Sequence, residues 1–324
     1  MHELGYRLHG LTLLSLSPLP FPCHHLPGSQ AAVRLVLKPA PPWQSCGGQL
    51  QTELLGRVGF KDGSLARSLE RVTVGTRSWL VQRFNLNLAL AFTPDGQEVH
   101  LFGGLVEDTE YVASVVAGPV ASFLRWLRGW PSLHASAVAV NGRVLAIGGQ
   151  SGAGKSTTTA ALASCGYPLF SDDVLGWRST PDRLLACPGP TRVKLWPDTV
   201  AALGLDPESL PRVRTDLNKR LLQLPEAATD TELPLGAVYL LSKEMDAPPG
   251  TIRELHGTEA FKELKTNCRD DSILTPDMRV RQFESLTELA RRVPVLQVKA
   301  HAGLDRLKEF ADSLVADFRQ RVAV

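Results

Sequence analysis

Residues His134–Asp173 read HASAVAVNGRVLAIGGQSGAGKSTTTAALASCGYPLFSDD, and the fold of the chain turns on this stretch. Gly149 to Ser156 match GxxxxGKS, the pattern of a phosphate-binding loop. In such a loop consecutive backbone N–H groups point inward at phosphate oxygens, so Gly149, Ser151, Gly152, Ala153, Gly154 and Thr157 are candidate nucleotide contacts. Lys155 is expected to reach the outer phosphate oxygens, and the Ser156 hydroxyl to ligate Mg²⁺. Glycine is needed where a Cβ would block the approach.

The flanks supply the context such a loop requires. Arg143 to Ile147 (RVLAI) is a short apolar strand, and Lys155 to Ala163 is a helical run of small residues closed by Gly166. A helix N-terminus adds its dipole to anion binding. Asn141-Gly142 between two apolar runs predicts a two-residue hairpin turn, with Val140 facing Arg143. Stepping outward along that register carries His134 opposite Gly149, where an imidazole can donate to phosphate, relay a proton, or simply cap a strand end.

Tyr167 to Ser171 reads as a second strand, and a right-handed crossover would make it parallel to the first. Asp172 and Asp173 then arrive at the carboxyl edge beside the loop, where ligands bind in open α/β sheets. One carboxylate can accept the proton of an attacking hydroxyl, and the other can hold Mg²⁺ directly or through water. The blander alternative is a solvated turn.

Composition narrows the classes of function. The 324 residues are 44% hydrophobic, enough for one large or two ordinary cores. Formal net charge is +2, from 35 basic and 33 acidic side chains, which makes no case for nucleic acid or an anionic membrane as partner. The five cysteines are scattered without paired spacing, which suits a reducing cytoplasm better than a disulfide framework. Cys23, His24, His25 and Cys46 have the chemistry of metal ligands, but their irregular, proline-rich setting favours structural or exposed roles. Near the start a brief apolar run is broken by Pro18, Pro20 and Pro22, so no export signal is expected. Tyr111 to Leu124 is apolar but too short to span a bilayer.

Leu4 to Leu16 reads as a first strand, Leu19 to Pro42 as a loop-rich interval around an apolar run at Val33 to Leu37, and Arg71 to Val74, Trp79 to Asn85, Leu86 to Phe92 and Glu98 to Phe102 as later strands, a compact β-rich region. Val112, Val115, Val116, Val120, Phe123, Leu124 and Leu127 recur at helical spacing, giving a linking helix and a boundary near Gly129. Beyond Asp173, Thr191 to Leu195 is a candidate strand that points Arg192 and Lys194 to one face, with a helix from Pro197 to Gly204 after it. Arg212, Arg214, Lys219 and Arg220 form a basic group in a segment of loop character. Arg192 and Arg220 are candidate phosphate contacts, weighed against ordinary solvated charges. Ala237 to Leu241 and Val295 to Val298 read as further strands, and Leu304, Leu307, Phe310, Ala311, Leu314 and Phe318 as the packing face of a last helix.

The order His134, glycine loop at Gly149–Ser156, then Asp172-Asp173 resembles the catalytic core of HPr kinase/phosphorylase, whose core is shared with phosphoenolpyruvate carboxykinase. The resemblance is close over about forty residues. It implies an α/β fold with a P-loop kinase core (129–324) preceded by a smaller β-rich N-terminal domain with its linking helix (1–128). It also implies an ATP- and Mg²⁺-dependent enzyme that phosphorylates a serine or threonine hydroxyl of a peptide or small protein, working in the cytoplasm. Carried over by position, Asp172 is the general base, Asp173 a group that holds Mg²⁺ directly or through a neighbour that does, and His134 a phosphate-site partner. Where the family has an EVRGxG-type segment for phosphorolysis this chain reads CPGPTRVKLWPD at Cys187–Asp198, so the resemblance implies the kinase and leaves phosphorolysis without its segment. YRLHGLTLLSLSPLP, LHASAV and RVKLWP together resemble the lasso-peptide precursor kinases. Family members form hexamers, which leaves a homo-oligomer open. A small-molecule kinase on the same core and a nucleotide-gated binding protein are the rival readings.

Overall fold

In a computed structural model, the chain is described over residues 3–24, 32–59, 65–84, 88–104, 106–214, 217–224, 231–269, 273–300 and 303–322. It divides into two compact units, Met1–Trp130 with Asp270–Gln282, and Pro131–Arg269 with Phe283–Val324. The sequence had suggested a single boundary near Gly129, whereas a short late segment also groups with the first unit.

The first unit is a sheet of β1 (Leu4–Leu8), β2 (Leu11–Ser15), β3 (Val33–Leu37), β4 (Leu50–Gly59), β5 (Leu65–Val74), β6 (Arg77–Phe84), β7 (Leu88–Phe92) and β8 (Glu98–Gly103). Its order is β1-β2-β3-β8-β7-β6-β5-β4. The single strand expected over Leu4–Leu16 is two, because His9 and Gly10 both take left-handed φ (53° and 77°) and close a two-residue hairpin. β4 escaped notice because LQTELLGRVG is mostly exposed and carries no alternating apolar face. Asn85 and Leu86, expected at strand ends, lie outside the described residues, as does His25. One core cluster gathers alternate residues of β5–β8, with Trp43 packed edge-on against Phe102. The expected helix is α1 (Thr109–Val115) and α2 (Ala121–Leu127) joined by a π-turn over Val116–Val120. Pro119 has no N–H to give the α-helical ladder, which accounts for the wider turn.

The second unit comprises β9 (Ser132–Leu133), β10 (Ser136–Val140), β11 (Arg143–Gly149), α3 (Lys155–Ser164), β12 (Leu169–Ser171), β13 (Leu175–Ser179), β14 (Leu184–Cys187), β15 (Arg192–Leu195) and α4 (Pro197–Ala202). It continues with β16 (Arg212–Arg214), β17 (Leu217–Gln223), β18 (Leu233–Ser242), β19 (Ile252–Leu255), α5 (Gly257–Thr266), the end of α6 (Pro276–Arg292), β20 (Val295–Lys299) and α7 (Leu307–Val322). Its main sheet runs β12-β10-β11-β18-β14-β13-β9, with β20 beside β18 and β19 beside β20.

Period-two alternation in β11 sends Val144 and Ala146 to one face and Leu145 and Ile147 to the other. The first face packs with Leu264 of α5 and with Leu286 and Leu289 of α6. The second packs with Ala161 and Leu162 of α3 and with Phe310, Leu314 and Phe318 of α7. Gly236 on β18 is the seat of Phe318, since a Cβ there would stand 2.6 Å from the ring. The segment of basic residues expected as a loop is instead a small antiparallel sheet, β15-β17-β16. Val213 is buried between Arg212 and Arg214, as strand alternation requires, and Leu221 is buried beside Arg220.

Candidate functional site

The hairpin fixes the loop. Asn141 and Gly142 adopt left-handed φ, and β10 pairs with β11 from Val140↔Arg143 out to Ser136↔Ile147. β11 therefore delivers Gly149 to its carboxyl end beside β18, to which β11 is parallel. Gly149 sits at φ 141°, and a Cβ on it would lie 2.8 Å from the Leu241 carbonyl oxygen and 3.0 Å from Ala153 Cβ. Gly154, at φ 99°, is the turn into α3. No other residue type satisfies both positions without strain.

Lys155 is buried and folds back over this loop, its Nζ donating to the Gly149 carbonyl at 2.6 Å and the Gln150 carbonyl at 3.3 Å. Burial lowers its proton affinity, and the charge of Asp173 works against that. Ser151 and Gly152 are exposed, Ala153 is buried, and Ser156 is half-buried in the first turn of α3. Thr157 Oγ1 lies 3.3 Å from Thr199 Oγ1.

β12 and β11 run the same way because each is antiparallel to β10, which lies between them. Asp172 and Asp173 follow β12 directly. Asp172 is 5% exposed and accepts a hydrogen bond from Ser136 Oγ at 2.5 Å. Its burial, and then the neighbouring Asp173 charge, raise its pKa above the ordinary value, while the Ser136 bond pulls the other way.

Asp173 takes a left-handed φ of 71°, a conformation that costs a non-glycine residue about 1 kcal/mol or more. That turn sends its carboxylate among cations. Arg269 Nη2 donates to Oδ1, Lys194 Nζ stands 3.2 Å from Oδ2, and His134 Nδ1 stands 3.2 Å from Oδ1. Burial pushes the Asp173 pKa up, but Arg269 and Lys194 with His134 outweigh it and hold the carboxyl well below the usual carboxylate range. The two aspartates thus occupy opposite electrostatic settings. Both are sensed by the Lys155 ammonium, as are Arg269 and Lys219, which puts the loop lysine and the acidic corner in one field.

His134 departs from the expected register. The ladder ends at Ser136, and Asn267 fills the place beyond it: its main-chain oxygen accepts from His134 N at 2.7 Å and its Oδ1 accepts from Gly149 N. The imidazole sits against Asp173, with Nδ1 2.9 Å from the Asp173 carbonyl oxygen and 3.0 Å from Arg269 Nη2. Nδ1 serves one of these at a time, donating to the carbonyl when protonated and accepting from the guanidinium when not.

Of the expected strand-face cations, Lys194 reaches Asp173, and Arg192 is half-buried two residues away. Arg220 is not among the groups that surround the pair. Its guanidinium is buried, donating from Nε to the Pro207 carbonyl at 2.7 Å and pairing with Glu208. Sequence reasoning missed Asn267 and Arg269 altogether. They follow the C-terminus of α5, about a hundred residues from their partners, and TNCRD carries no motif. Among the described residues no group of three or more His, Cys, Asp or Glu side chains could hold a metal.

The sequence matches no family model and no curated protein. Among solved structures it is similar to the Hpr(Ser) kinase/phosphatase from Coxiella burnetii, at 15% identity and a TM-score of 0.36, covering 60% of this chain and 99% of that one.

Proposed function

We propose that the second unit is a phosphotransferase that uses ATP and Mg²⁺ and passes the γ-phosphoryl group to a hydroxyl, in the first instance a serine or threonine of a peptide or small protein. The observation that carries this reading is the split within the aspartate pair. Asp172 is buried, hydrogen-bonded by Ser136 and raised in pKa, whereas Asp173 is locked as an anion by Arg269 and Lys194. Carboxylates whose surroundings drive their proton affinities apart divide into a base and a fixed charge. A protein that only switches shape on binding nucleotide has no need of that division.

The residues fit a magnesium-bound triphosphate. The space beside Gly149 closes to any Cβ, the Lys155 ammonium lies over the first loop carbonyls, and the Ser156 hydroxyl opens the first turn of α3. Ser156 would hold the metal together with phosphate oxygens, which suits an ion that prefers few protein ligands. Asp173 would act on it through water, the arrangement that keeps its ion pairs with Lys194 and Arg269. The metal, when bound, neutralises charge on the outer phosphates.

Asp172 takes the proton of the acceptor hydroxyl. The acceptor oxygen bonds to the γ-phosphorus, and the bond from that phosphorus to its bridging oxygen breaks, releasing the nucleoside diphosphate. His134 and Arg269 steady Asp173, and the Arg269 guanidinium adds positive charge beside the transferred group. The catalytic domain in this reading is 129–324, with 1–128 a second domain, in a cytoplasmic enzyme that can assemble with its own copies. The peptide acceptor comes from the family resemblance. Incubation with γ-labelled ATP and separate peptide and metabolite pools distinguishes it from a small-molecule acceptor.

Asp172→Asn tests the chemistry, because the amide keeps the side chain's size and cannot take the proton. The expected result is loss of transfer with nucleotide affinity retained. Near wild-type transfer by that variant refutes the base assignment.

A further inference from the structure

A second feature of the unit adjoins the far end of the glycine loop. A cavity of about 480 Å³ opens beside Gly152, Ala153, Gly154 and Thr157, a size in the range of small-ligand sites. Its walls include Leu304, Leu307 and Phe310 from the start of α7 and the turn before it, together with Trp196, and its polar edge includes Asp198. Trp196 is 48% exposed, unusual for so large an apolar ring. Lys219 stands over that ring at 5.2 Å from its centroid and is not part of the cavity wall, so the indole is steadied from outside the cavity.

The direction in which a triphosphate must lie follows from Lys155. Its Nζ rests on the carbonyls of Gly149 and Gln150 and senses Asp172 and Asp173, so the outer phosphates belong at the first residues of the loop. The rest of the molecule must leave over the other end, where Gly152, Gly154 and Thr157 line the cavity. A smaller cavity of about 310 Å³ adjoins Gly149 and Gln150, but it lies at the outer-phosphate end and its lining includes Glu244 and Glu263. It has no aromatic wall on which a base could stack.

We infer that the cavity walled by Trp196, Leu304, Leu307 and Phe310 receives the purine nucleoside of the phosphoryl donor, with the base stacked on Trp196. This inference rests on the phosphotransferase reading and adds to it where the donor's base sits and the residue that selects it. Every base offers a π-face, but the larger purine covers more of the indole, so ATP and GTP are bound in preference to CTP and UTP.

The test measures the affinity of the full chain for Mg²⁺-ATP and for Mg²⁺-tripolyphosphate, in the wild type, Trp196→Ala and Trp196→Phe. Base–aromatic stacking gives an expected loss of about tenfold or more for ATP in Trp196→Ala, with tripolyphosphate unchanged and Trp196→Phe recovering most of the loss. Parallel losses for both ligands in Trp196→Ala would mean that the ring only supports the fold, and equal affinities in all three proteins would mean that no base reaches it; either overturns the inference. A wild type that binds tripolyphosphate as tightly as ATP overturns the nucleoside pocket and leaves the phosphotransferase reading intact. A wild type that binds neither overturns both.

Discussion

Asn267→Ala removes the side chain that ties the glycine loop to the segment bearing Arg269. Asn267 is 4% exposed, its Oδ1 accepts from Gly149 N, and its Nδ2 donates to the Glu263 carbonyl at 2.8 Å. Alanine leaves the buried Gly149 N–H without an acceptor, which costs about 1–3 kcal/mol. The lost bond at Glu263 adds about 1 kcal/mol, so the variant should be less stable by about 2–4 kcal/mol. Urea unfolding of the full chain checks this through a lowered midpoint at unchanged slope. With Gly149 N–H no longer pinned, affinity for Mg²⁺-tripolyphosphate should fall as well. A stability change under about 0.5 kcal/mol, the scatter of ordinary surface substitutions, would refute the claim that Asn267 holds the loop.

Three further outcomes are expected. In Ser136→Ala the hydrogen bond that opposes the raised pKa of Asp172 is gone, so the acid limb of the kcat/KM profile should move to higher pH; a shift to lower pH contradicts the base role. Asp173 has a depressed folded pKa, so its ion pairs contribute stability that is complete above the ordinary 3.8 and is lost as pH falls through the folded value. Arg269→Gln should shrink that loss, as read by urea midpoints across the acid range. Gly236→Ala puts a methyl 2.6 Å from Phe318 Cζ and should destabilise by about 1–3 kcal/mol in thermal or urea unfolding, with Phe318→Leu in the same chain recovering part of it.

Local signals in the sequence carried far in this chain. Asn141-Gly142 set a hairpin whose observed register follows from the turn alone, and the strand, glycine turn and helix around Gly149–Ser156 came from neighbouring residues. Alternation put Lys194 on the face from which it reaches Asp173. Long-range partners were out of reach: Asn267 and Arg269 approach the loop and the aspartates only because α5 packs on the sheet face that holds Val144 and Ala146. Arg220 illustrates the reverse error, a cation in a suggestive basic cluster whose strand turns it toward Glu208. The His9-Gly10 hairpin went unread because His-Gly, although histidine takes left-handed φ more readily than most residues, is not among the pairs that mark a two-residue turn as Asn-Gly does.

The central claim is that Asp172 and the outer phosphate face each other across one acceptor oxygen. A structure of the full chain with Mg²⁺ and a non-hydrolysable ATP analogue measures this directly. An Asp172 carboxyl oxygen within about 6 Å of the γ-phosphorus is predicted, which leaves a hydroxyl within hydrogen-bond reach of one and attack distance of the other. A γ-phosphate bound at the loop with Asp172 turned away from it, or separated by more than about 8 Å, would contradict the account.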